Sequence, residues 1–144
     1  MKWHLRFLEL AALVASWSKD PSTKTGAAII SPTRHVLAVG FNGFPQSMPD
    51  MDAWYQDRAE KYSRIVHCEM NALIHANQQV NGATLYTYPF LSCDRCVVHM
   101  LQAGIKTFVA PKPSEEALTR WADAFERTRR YIKECGGVAM ELDF

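Results

Sequence analysis

Neither sign of charge dominates this chain. Lys and Arg number 16 against 15 Asp and Glu, a formal net charge of +1 at pH 7. A balance so close to neutral provides no broad electrostatic footprint for a nucleic acid or an anionic membrane surface. Long apolar runs are missing as well, and none approaches the ~20 residues that span a bilayer. Lys2, Arg6 and Glu9 break up the first segment, which does not suit a secretory signal. Cysteines are few, four in 144 residues, with one close pair. That usage fits a reducing compartment and a metal site better than a disulfide framework. The expected location is therefore the cytoplasm, or the host cytoplasm for a viral chain. Internal repeats, low-complexity stretches and linkers are also lacking. A chain of this length, 48% hydrophobic, predicts one domain over 1–144 with a real core.

Periodicity divides that domain. Trp3, Phe7, Leu10, Val14 and Trp17 recur at helical spacing over 2–18, as the core face of an amphipathic helix does. Asp20, Pro21, Ser22 and Thr23 stop it. Residues 27–30 and 36–39 predict two strands with a short connection, hence an antiparallel hairpin. Gly40-Phe41-Asn42-Gly43-Phe44-Pro45 follows, either a place where backbone approaches a ligand closely or an ordinary turn. Residues 50–64 predict one short helix, whose Trp54, Arg58, Lys61 and Tyr62 face a nucleotide or simply solvent. A helix over 68–77 has Met70, Leu73, Ile74 and Asn77 at core-like spacing, with His75 at its surface or packed. Strands over 83–88, 105–110 and 138–142 alternate with helices over 93–103 and 115–135. The last helix carries Leu118, Trp121, Ala122, Phe125, Thr128 and Ile132 along one side. Strand–helix–strand units make those three strands parallel. The fold class is α/β, three layers α/β/α around a mixed five-stranded sheet.

The chemistry concentrates in His67-Cys68-Glu69 and Cys93-Asp94-Arg95-Cys96. One imidazole and two thiolates, His67, Cys93 and Cys96, make three zinc ligands and leave a fourth position open, the arrangement of a catalytic site. The thiols fall at a helix N-terminus, where the dipole favours thiolate. Glu69, two residues after His67, is free to move protons. Cys68 points elsewhere on the helix and reads as a small buried hydrophobe. The competing arrangement is a closed structural zinc on Cys93, Cys96, His99 and Cys135, which leaves His67-Cys68-Glu69 without a role.

His-x-Glu followed by Cys-x-x-Cys is the signature of zinc nucleobase deaminases. The resemblance extends nearly end to end. Asp20-Pro21-Ser22-Thr23-Lys24-Thr25-Gly26-Ala27, the Gly40–Pro45 loop, His67-Cys68-Glu69-Met70-Asn71-Ala72 and Leu101-Gln102-Ala103-Gly104-Ile105-Lys106 together resemble the deoxycytidylate (dCMP) deaminases of the cytidine deaminase superfamily. Cys68 replaces the usual alanine, Phe41 the usual tyrosine or tryptophan, and Ser92 the proline common before the first cysteine. The resemblance implies a cytidine deaminase-like fold and hydrolytic deamination at C4 of cytosine, dCMP giving dUMP and ammonia. Zinc would sit on His67, Cys93 and Cys96, with Glu69 passing the proton. It also implies activation by dCTP and inhibition by dTTP, each with Mg²⁺, and a homo-oligomer, expected to be a hexamer. Trp54, Phe90 and Leu91 are the apolar residues expected at the interface. Candidate nucleotide contacts are Ser22, Thr23, Lys24 and Thr25, as phosphate donors or a solvated turn, and Gly40, Phe41, Asn42 and Gly43 for substrate or effector. No nucleic acid or membrane partner is expected.

Overall fold

A computed structural model describes residues 1–144. Helix α1 (Lys2–Ala15) buries Phe7, Leu8, Ala11, Val14 and Ala15. Trp3 and Trp17, expected on that face, are exposed. The reason lies in strand β1 (Gly26–Ile30), on which the helix rests through its small residues: a Cβ added at Gly26 would lie 2.2 Å from the Ala11 carbonyl oxygen. No indole fits into so close a contact, and Trp17 falls beyond the end of the helix.

Strand β1 pairs antiparallel with β2 (Val36–Phe41) as the predicted hairpin, and antiparallel with β3 (Thr84–Tyr88) on its other side. Strands β4 (Thr107–Pro111) and β5 (Val138–Leu142) continue in parallel, giving the five-stranded order β2-β1-β3-β4-β5. Every residue of β1 is buried, as a central strand covered on both faces requires. Alternation sends Ala28, Ile30, Tyr86 and Val109 toward α1. Ala27, Ile29, Leu85, Phe108 and Ala110 pack the opposite face, against α4 (Cys68–His75), α5 (Asp94–Gln102) and α6 (Glu115–Glu134). The three layers and the mixed sheet are those expected. No helix is long and apolar enough to cross a membrane.

The differences are local. Residues 50–64 form two helices, α2 (Asp52–Gln56) and α3 (Arg58–Arg64), because Asp57 turns extended and caps α3 by accepting from the Ala59 and Glu60 N–H groups. Helix α4 ends at His75, and Ile74 is exposed on its outer side. On α6, Ala117 completes the buried stripe; Leu118, about 100° further round, is exposed, as is Ala122. Trp54, Phe90 and Leu91 form no surface patch: Leu91 is in the core, Phe90 packs between Trp121 and Phe125, and the Arg64 guanidinium covers the Trp54 ring at 4.1 Å.

Candidate metal centre and active site

Two helix N-termini converge at the site. His67 is the N-cap of α4, in extended backbone, and Cys93 is the N-cap of α5. The placement of α4 depends on Gly40: a Cβ there would lie 2.5 Å from both the Cys68 carbonyl oxygen and the Ala72 nitrogen. The helix thus lies directly on β2. Helix α5 is tied to α6 twice. Asp94 pairs with Arg127 at 2.8 Å, and the Thr128 hydroxyl donates to the Ser92 carbonyl at 2.9 Å.

The result is a compact donor set. His67 Nδ1 lies 3.5 Å from Cys93 Sγ and 3.3 Å from Cys96 Sγ, and the three ligand atoms fall within 4.8 Å of one another. Tetrahedral zinc, with ordinary Zn–N and Zn–S lengths, asks for N···S separations of about 3.6 Å. One nitrogen and two sulfurs at that spacing fit zinc in both geometry and softness. His99, its Nδ1 3.0 Å from the Arg95 carbonyl, and the exposed Cys135 stay outside this group, so the closed four-ligand arrangement is not assembled. Cys68 is buried, as expected of a small hydrophobe.

Glu69 sits beside the donors, 4% exposed, with Oε1 3.8 Å from His67 Nδ1. Burial raises its pKa above the ordinary carboxylate range, and the Cys93 charge adds to this; His67, Ser92 and Cys96 pull the other way. A buried carboxyl shifted toward neutrality next to an open metal position is suited to proton transfer.

Residues 1–112 match the family model of the cytidine and deoxycytidylate deaminase zinc-binding region. The chain belongs to this family. It is 36% identical to the "uncharacterized deaminase in luxG 3′ region" of Aliivibrio fischeri, across 94% of this chain and 90% of that one. It is 30% identical to human deoxycytidylate deaminase, across 99% of this chain and 87% of that one. The same fold occurs in dCMP deaminase from cyanophage S-TIM5 in complex with dCMP and dUMP, with TM-score 0.77, 19% identity and coverage of 98% and 97%. It recurs in a deaminase/reductase of Thermotoga maritima, with TM-score 0.66 and 20% identity, over 97% of this chain and 36% of that one.

The donors of this deaminase domain hold protons that a metal must displace. The Cys93 thiol is pushed down to about 4, first by the hydrogen bond from Cys96, and the same contact pushes Cys96 up. Without metal the pair therefore shares one proton. The Cys93 contact also raises His67. Metal binding needs both thiolates and a neutral imidazole, so acid competes with zinc. A chelator-competition titration should show zinc affinity weakening at least about tenfold per pH unit from pH 7.5 to 6.5. An affinity constant over that range would contradict the assignment of these donors.

The expected nucleotide contacts divide into two groups. Ser22 and Thr23 line a cleft of about 350 Å³ with Tyr88, Phe90, Arg120 and Trp121. The cleft lies at the C-terminal ends of β3 and β4, where α/β sheets bind ligands. It excludes the zinc donors, but Phe90 in its wall precedes Cys93 by three residues. Lys24 is exposed and makes no ion pair, while the Thr25 N–H donates to Asn42 Oδ1 at 2.9 Å. Phe41 is partly exposed, edge-on to Trp17, and Gly43 has open space beside it.

Gly40 and Asn42 differ from the expectation of open ligand contacts. Gly40 accommodates α4. Asn42 is 6% exposed, and both its amide hydrogens are spent on Asp20 Oδ2 (3.3 Å) and the Thr23 carbonyl (3.0 Å). It fastens the loop from within. Sequence reasoning missed the partner of this network. Asp20 Oδ1 takes the Lys61 ammonium at 3.1 Å, and both side chains are almost wholly buried. Lys61 reads from sequence as a surface residue because its partner is 41 positions away. Asp20 in the Asp-Pro-Ser-Thr stretch was the available signal. Lys61→Met strands a buried carboxylate and should destabilise the fold by about 3–5 kcal/mol in urea unfolding. A loss below ~1 kcal/mol would mean that Asp20 finds water instead.

Proposed function

We propose that the protein hydrolyses dCMP to dUMP and ammonia, with zinc held by His67, Cys93 and Cys96 and Glu69 as the proton carrier. The observation that carries this reading is the buried Glu69 carboxyl set against a three-donor N/S group. Zinc bound there supplies a water acidified toward neutral pH. Glu69 carries one proton of the water to N3 of the base and the second to the departing amino group; the water's oxygen remains on C4 as the carbonyl, the C4–N bond breaks and the amino group leaves as ammonia. Burial raises the pKa of Glu69, which favours the protonated form the carboxyl must pass through between taking the proton and returning it. The convergence of α4 and α5 holds donors and carboxyl in place before substrate arrives, which lowers the entropic part of the barrier.

The 5′-phosphate goes to the cleft side of the 22–25 loop. Ser22 and Thr23 offer hydroxyls there and Arg120 a cation, the exposed Lys24 follows next in the loop, and the loop is pinned by Asp20, Asn42 and Thr25. Regulation by dCTP and dTTP with Mg²⁺ belongs to the same reading, with the Phe41 ring and the open side of Gly43 as the surface for an effector base. The chain acts as a homo-oligomer, and the exposed Trp17–Phe41 pair supports an apolar contact near that loop. Light scattering that gave one chain mass at micromolar concentration would contradict this.

One panel tests the substrate. Ammonia release from dCMP, CMP, dCTP, deoxycytidine and a cytosine-containing oligonucleotide should be fastest with dCMP. A preference for deoxycytidine would remove the phosphate subsite, and a preference for the oligonucleotide would reassign the protein to polynucleotide deamination. Repeating the dCMP arm with dCTP–Mg²⁺ and dTTP–Mg²⁺ tests regulation, since typical coupling changes affinity roughly 5–150-fold. Superimposable saturation curves would mean an unregulated enzyme.

A further inference from the structure

Helix α3 is joined to the domain by an unusual group, since its one buried residue is Lys61. Surface helices ordinarily dock through an apolar stripe. Here the docking group is an ammonium, set 3.1 Å from Asp20 Oδ1, and the two side chains are only 7% and 6% exposed. Taking both charges out of water often gains nothing over a well-packed apolar pair, so stability alone does not account for them. Their position offers another reason. Lys61 belongs to the 44–65 excursion, whose ends are joined by the Gly43–Val66 bridge, and His67 directly follows that bridge. Asp20 begins the loop that brings Ser22 and Thr23 to the cleft.

The Asp20 carboxylate is the knot of that loop. Its Oδ1 also accepts from the Ser22 N–H at 2.8 Å, and its Oδ2 accepts from the Asn42 amide at 3.3 Å. The Asp20 N–H donates to Ser18 Oγ at 3.2 Å, and that hydroxyl donates to the Asn42 carbonyl at 2.8 Å. Asn42 closes the loop on the Thr23 carbonyl and the Thr25 N–H. The Ser22 and Thr23 hydroxyls enter none of these bonds, which leaves them for a ligand in the cleft. Lys61 supplies the cation of the network. A charged hydrogen bond is roughly twice as strong as a neutral one, so the ammonium is the firmest link between the loop and the segment that leads into His67.

We infer that Lys61 is a positioning residue for phosphate recognition: through Asp20 it holds Ser22 and Thr23 at the cleft, in register with the His67 end of the site, and so sets the preference for a 5′-phosphorylated nucleotide over its nucleoside. The inference rests on the function proposed above, with the phosphate on the cleft side of the loop, and adds to it a buried side chain that touches neither metal nor substrate.

The test compares dCMP with deoxycytidine in the zinc-loaded protein, as wild type, Lys61→Met and the double variant Asp20→Asn/Lys61→Met. In Lys61→Met, kcat/KM for dCMP should fall about 10-fold, chiefly through KM, because a loop that drifts loses binding rather than chemistry. For deoxycytidine kcat/KM should stay within about twofold, and zinc should stay at one per chain. Lys61→Met strands a buried carboxylate, and the double variant removes that charge, so its urea midpoint should lie above that of Lys61→Met. Its preference for dCMP should still be lost, and it carries the test if Lys61→Met does not fold. A double variant with the wild-type preference would overturn the inference and leave the pair a purely structural one. Equal losses on both substrates would also overturn it, since Lys61 would then support the whole site. A wild type that did not favour dCMP over deoxycytidine would bring down the phosphate subsite of the proposed function first, and this inference with it.

Discussion

Glu69→Gln should keep one zinc per chain and an unchanged fold, yet lose about 10³-fold or more in turnover of dCMP. Glutamine has nearly the shape of glutamate, so the buried pocket stays filled. What disappears is the group that can hold and release a proton, together with a charge that burial and the Cys93 thiolate already make costly. Removal of that charge should leave stability equal or slightly improved, which separates this variant from one that merely misfolds. Zinc content, the urea midpoint and initial rates measured on one preparation decide it. Near-normal turnover would mean that another group carries the proton.

The second large effect falls on the metal. Cys96→Ala, and likewise Cys93→Ala, should lose zinc and activity together, because a three-donor site reduced to two cannot hold the ion through gel filtration. His99→Ala and Cys135→Ala should keep both. His99 bonds within its own helix and Cys135 is exposed, and neither joins the cluster of ligand atoms. Zinc analysis of the four purified variants checks this. Loss of zinc from either of the last two would favour the closed structural site.

The layered fold was legible from the sequence because each of its elements shows its own period. Strand β1 is buried throughout, β3 to β5 alternate with helices, and glycine or proline stands near most of the ends. The donor cluster was legible for a different reason: His67, Cys93 and Cys96 are rare residue types at spacings that metal chemistry restricts, and the fold brings their ligand atoms together. The misses share one cause. Periodicity identifies a face but not what covers it. Trp17 follows the helical spacing yet lies past the helix end, and Ile74 has core spacing on the solvent side of α4. Gly40 signals a close approach, and the sequence alone does not say whether a ligand or a helix makes it; here it is α4. Asn42 has the amide of a ligand contact but spends it on Asp20 and Thr23. The Asp20–Lys61 pair leaves no local pattern, since only the folded chain brings its two members together. Thr128 gave a faint signal, a hydroxyl on an otherwise apolar stripe, and it proves to anchor the Ser92 carbonyl.

The most direct measurement is ammonia release from dCMP by the wild-type protein, first loaded with one zinc per chain, then stripped by a chelator, then reloaded. The loaded protein should convert dCMP to dUMP with one ammonia per turnover, the stripped protein should be inactive, and added zinc should restore the rate. No ammonia from the fully loaded protein, or an undiminished rate after stripping, would contradict a zinc-dependent deaminase built on His67, Cys93, Cys96 and Glu69.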